Sequence, residues 1–169
     1  MNLELRRFTT KYDAVEDRLC ITGEDPQGST LMLWLTQRLL NPVVANLCQW
    51  LDRQGGDTRY AKVMQEFQQQ AAVASIKLQN PVKAPVDAEG ILIRSVDITV
   101  GKDWVRLSFK GQETGPAIAK IRLQANGLRQ WLGIVAQQSR GAGWRTDCWP
   151  DWIKDNTWQK KSNDGDVFH

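Results

Sequence analysis

The sequence predicts an α+β fold: two antiparallel three-stranded β meanders, a helical pair inserted between them, a C-terminal helix after the second, and a Trp-rich tail. Three observations carry this. Apolar residues recur with period two before residue 36 and again between 91 and 123; they recur at helical spacing over 40–74 and 128–135; and glycine and proline clusters separate these stretches.

In chain order, Leu3 to Asp13 alternates loosely, and Arg18 to Thr22 and Thr30 to Leu35 follow as short apolar runs. Asp25-Pro26-Gln27-Gly28 is a turn signal, since proline presets φ and glycine accepts a left-handed backbone. The helical pair is placed at about 41–75. Asn41 is read as its N-cap with Pro42 at the first helical position, and Leu40, Val43, Val44, Leu47 and Leu51 make the buried stripe, with Trp50 at its border. Gly55-Gly56 ends the first helix. In the second, Tyr60, Val63, Met64, Phe67, Ala71 and Ala74 share one stripe, expected to face the core. Gln65, Gln68, Gln69 and Gln70 fall on the other side, an uncharged face suited to a dimer contact.

Asn80-Pro81 and Ala84-Pro85 then mark a linker over about 79–90. Ile91 to Val100 alternates most cleanly, with Val96, Ile98 and Val100 opposite Ser95, Asp97 and Thr99. Gly101-Lys102-Asp103 turns the chain into Val105, Leu107 and Phe109, and residues 111–116 turn it again into Ala117 to Leu123. Both halves thus share a plan of three strands followed by helix. Asn126 is read as the cap of a helix bearing Leu128, Trp131, Leu132 and Val135, which Gly141 and Gly143 stop. Residues 1–143 are expected to form a single domain and 144–158 a tail packed on that domain or on a partner. The polar stretch 159–169 is expected to be disordered.

Composition narrows the chemistry. The 169 residues are 41% hydrophobic and 24% charged, and 22 basic against 19 acidic residues leave a net charge of +3, too small to imply nucleic acid by itself. The only histidine is His169, so the body lacks the usual proton shuttle and metal ligand. No GxGxxG or GxxxxGK[ST] occurs, which leaves no cofactor expected. Cys20, Cys48 and Cys148 form no CxxC pair, so no metal site is expected, and their sparse, odd number fits a cytoplasmic protein with Cys20 and Cys48 buried. No apolar run is long enough to span a membrane.

These features favour a non-catalytic protein-interaction or scaffold module, self-associating as a homodimer or binding a protein partner. Trp144, Trp149, Trp152 and Trp158 are the candidate partner-binding residues, because tryptophan left in water is costly and must cover either its own core or a partner. The alternative is a nucleic-acid-binding module. Trp104, Arg106 and Lys110 share one face of their strand, and Lys120 and Arg122 join them if the next strand pairs in the expected register, a combination of ring and cations suited to single strands. Arg6, Arg7 and Lys11 would extend that basic surface. A small enzyme of unknown reaction is the third reading.

Overall fold

The computed structural model describes residues 2–56 and 59–157. The α+β class is as expected. The strands are β1 (Leu3–Glu4), β2 (Arg7–Asp13), β3 (Arg18–Glu24), β4 (Thr30–Leu35), β5 (Ile91–Leu92), β6 (Ser95–Val100), β7 (Trp104–Lys110) and β8 (Ala119–Gln124). The helices are α1 (Gln37–Gln54), α2 (Ala61–Ala74), α3 (Ala125–Gly141) and α4 (Asp151–Thr157).

Both meanders are present, β2-β3-β4 and β6-β7-β8, with every pairing inside them antiparallel. Each gains a fourth strand from the other half of the chain. The first sheet runs β2-β3-β4-β5 and the second β1-β8-β7-β6, with β5 parallel to β4 and β1 parallel to β8. The alternations of Leu3–Asp13 and Ile91–Val100, each read as one strand, are therefore broken in two. At each break the chain leaves one sheet and joins the other: Leu5 N–H bonds Lys120 O and Arg6 N–H bonds Glu24 O, just as Ile93 N–H bonds Trp34 O and Arg94 N–H bonds Lys110 O. Leu5 and Ile93, buried at these crossings, anchor them in the core.

The two halves repeat one plan at residue level. Leu19 and Ile21 of β3 are buried as Val105 and Leu107 are in β7, and Leu40, Val44 and Leu47 of α1 as Leu128, Leu132 and Val135 are in α3. These inward faces form one hydrophobic cluster. Helix α3 crosses to the first half, where Trp131 Nε1–H donates to Thr10 Oγ1 at 3.0 Å and the Tyr12 amide to Gln138 Oε1 at 2.9 Å, while α1 lies beside β6. The indole N–H of a buried tryptophan needs such a partner, which a hydroxyl supplies without charge.

Two helix starts differ from expectation. Helix α1 begins at Gln37, capped by Thr36, whose hydroxyl accepts from Leu39 N–H at 3.2 Å. Asn41 and Pro42 therefore lie inside the helix, where proline leaves one backbone carbonyl without its usual donor. Helix α3 begins at Ala125 after Gln124, so Asn126 lies within its first turn rather than at the cap. Trp50 is buried, Cys48 is buried, and Cys20 is half-exposed on the outer side of β3 because the inward positions of that strand are Leu19 and Ile21.

Candidate functional site

Helix α2 carries the largest departure from what its sequence suggests. Its apolar stripe points outward: Tyr60, Val63, Met64 and Phe67 are 64%, 58%, 50% and 70% exposed, and Ala71 and Ala74 continue the line. Two of its four glutamines point inward, while Gln68 and Gln70 are exposed. Gln65 and Gln69 are buried with Ala72, so the amide face expected to meet a partner meets this chain's own α1 and α3.

The reason is the polarity of the space beneath α2. Leu51 O belongs to the last turn of α1, whose carbonyls lack intrahelical donors, and Gln65 Nε2–H supplies one at 2.8 Å. On α3, Arg129 is 5% exposed and needs acceptors for its guanidinium. Gln65 Oε1 and Gln68 Oε1 accept from its Nη2, and Gln69 Nε2–H returns a bond to Arg129 O at 2.9 Å. A leucine stripe would strand these groups without partners, at a cost of about 1–3 kcal/mol each. Gly133 permits the close approach of α2 to α3, since a Cβ there would stand 3.0 Å from Val73 Cγ2.

The tail completes this layer from below. Trp144, Trp149 and Trp152 are each less than 10% exposed and belong to the core cluster with Ile153. Helix α4, which the irregular tail sequence did not announce, packs on α2 and α3. Arg129 lies over the Trp152 ring at 5.3 Å, so the indole face stabilises a cation that is in no ion pair with a carboxylate among the described residues. Burial holds the Arg129 pKa below its ordinary value, with Asp52 acting in the opposite sense. These three tryptophans cover this chain's own core, which corrects their reading as partner-binding rings; Trp158 lies outside the described residues.

Trp144 is fixed at its edge. Its Nε1–H donates to Asp17 Oδ1 at 2.9 Å, Tyr12 O–H donates to the same oxygen at 2.7 Å, and the Tyr12 and Trp144 rings meet edge to face at 5.6 Å. The Tyr12 and Trp144 hydrogen bonds hold the Asp17 carboxyl below its ordinary 3.8. A lowered carboxylate pKa stabilises the fold above its unfolded value and loses that contribution as pH falls through the folded one. Tryptophan fluorescence in an acid titration is therefore expected to show a transition below about pH 4. Asp17→Asn, which tolerates the left-handed backbone at φ 52°, should remove that transition; an unchanged acid profile would show that Asp17 does not anchor the tail.

A second surface lies on the outer face of the second sheet. The register is the one the alternation required, with Arg106 opposite Arg122 and Ser108 opposite Lys120. Trp104, Arg106, Lys110, Lys120 and Arg122 therefore share a face. Arg6, Arg7 and Lys11 do not extend it, because Arg7 and Lys11 belong to β2 in the first sheet and Arg7 is paired with Glu24 at 2.6 Å.

No family model, curated protein or solved structure matches this chain. Among the described residues no group of three or more Asp, Glu, Cys or His side chains could hold a metal ion, and no helix is long and apolar enough to cross a membrane. Sequence reasoning found the α2 stripe but assigned it the wrong direction. The signal it lacked was Arg129, whose burial only the fold reveals.

Proposed function

We propose that this chain is a non-catalytic protein-interaction module that self-associates through the outward apolar ridge of α2, acting in the cytoplasm. The observation that carries the reading is the inversion of that helix, with Tyr60, Val63, Met64 and Phe67 in solvent at positions i, i+3, i+4 and i+7 while Gln65 and Gln69 are buried on its inner side. Four such side chains expose on the order of 500 Å² of apolar surface, near the top of the range that monomers carry. The spacing is that of a helix seam.

A second copy is the occupant this ridge fits. Two α2 ridges crossing about a two-fold axis present the same residues to each other, and antiparallel helices place opposite dipole ends together. With the surrounding Arg59, Lys62, Gln68 and Gln70 as a polar rim, such a contact approaches the roughly 800 Å² per partner of a standard interface. Three unpaired cysteines support the reducing compartment.

Met64 reports on the contact directly. Its thioether, half-exposed in the single chain, is expected to resist hydroxyl-radical oxidation at protein concentrations where the dimer forms and to react on dilution. Reactivity independent of concentration would overturn self-association through α2.

A further inference from the structure

The outer face of the second sheet, on the side of the molecule that the α2 reading does not use, holds an arrangement that solubility does not require. Arg106 and Arg122 stand directly opposite on neighbouring antiparallel strands. Like charges in that position destabilise a sheet. Acidic residues stand beside other cations of the face: Asp97 Oδ2 is 2.6 Å from Lys110 Nζ, and Glu4 is the backbone register partner of Lys120. Neither Arg106 nor Arg122 has an ion pair among the described residues, and Arg106 Nε is buried without a hydrogen-bond partner.

Both guanidiniums lie against one ring. Arg122 is 4.3 Å and Arg106 5.7 Å from the Trp104 centroid, and the indole rests on Gly101, where a Cβ would come within 2.2 Å of it. Gly101 therefore gives the indole room against the backbone, and two guanidiniums lie over the ring, Arg122 the nearer. Two unneutralised arginines supply charge for phosphates, and the indole beside them supplies a stacking surface for a base once a phosphate draws the nearer guanidinium off the ring. A lone phosphate would use the arginines and leave the ring idle.

We infer that this face binds single-stranded nucleic acid, with phosphates at Arg106 and Arg122 and a base stacked on Trp104. The mixed charge of the rest of the face, in which Asp97 and Glu4 offset Lys110 and Lys120, confines the strong contact to these three residues.

The test is fluorescence anisotropy of a labelled 12-nucleotide oligo-dT against the full chain over a salt series, repeated with a duplex of the same length and with inorganic polyphosphate. Binding to the single strand should weaken with salt. Arg106→Gln/Arg122→Gln should make the logarithmic salt slope shallower by about 1.4, the value for two lost phosphate contacts on a single strand. Trp104→Leu should reduce affinity roughly 10-fold with the slope unchanged, as loss of one stacking contact requires. Arg122→Glu, at an exposed position, gives the same direction if the double variant fails to fold. Absence of binding at low salt overturns the inference, as does polyphosphate binding as tight as the oligonucleotide with Trp104→Leu unaffected, which would make the face a general polyanion site.

Discussion

Replacing Val63 and Phe67 together with glutamate is expected to weaken self-association at least about 100-fold, because large side chains at the centre of an interface each contribute on the order of 2 kcal/mol or more and the new carboxylates would be buried against their symmetry mates. The same change should leave the folded chain intact. Both side chains are more than half exposed and lie opposite the glutamine face, so the double variant removes no contact that holds α2 to α3. Sedimentation velocity should give a single slow species across the concentration range, with thermal unfolding within about 0.5 kcal/mol of the parent, as for ordinary surface changes. If the variant unfolds with the association unaltered, the ridge is internal packing after all. An opposite pairing of results, association lost and stability kept, is what an outward ridge requires.

Trp152→Ala is expected to do the reverse. The ring is 4% exposed within the core cluster, and its removal opens a cavity and uncovers the Arg129 guanidinium. Tryptophan-to-alanine changes in such positions cost about 3–5 kcal/mol. For a chain of this length each kcal/mol lowers the melting temperature by roughly 2–4 °C, which puts the expected fall at about 10 °C. At temperatures well below the transition the variant should still associate. A loss of stability under about 1 kcal/mol would mean that the tail is an appendage, and the tryptophans would again be available for a partner.

Most of the fold is legible in the sequence because its signals are local. The six main strands alternate, the turns carry glycine or proline except that between β2 and β3, where Asp17 takes the left-handed backbone, and the register of β7 on β8 follows from matching their buried faces. What escapes is non-local. Nothing in Leu3-Glu4 or Ile91-Leu92 says that each joins the sheet of the other half, since two residues carry no period of their own. Helix α4 escapes because its seven residues owe their shape to packing on α2 and α3.

The candidate site divides in the same way. The basic and aromatic sheet face is legible because a strand's side chains alternate by geometry, so Trp104, Arg106 and Lys110 must point together. The direction of α2 is not. Periodicity establishes that Tyr60, Val63, Met64 and Phe67 form a stripe, yet its facing depends on what lies underneath, and that is a buried arginine and an open carbonyl. Glutamine gives the carbonyl a donor and Arg129 Nη2 its acceptors without charge, while Arg129 Nη1 and Gln69 Oε1 have no hydrogen-bond partner among the described residues, so the helix buries amides and leaves its apolar side for another surface.

The solution mass of the full chain by light scattering, across a dilution series, tests the central claim most directly. The outward ridge predicts twice the 19.2 kDa chain mass at high concentration, falling to the single value on dilution and held at the single value at every concentration in Val63→Glu/Phe67→Glu. A mass of one chain throughout the series for the unaltered protein would contradict it.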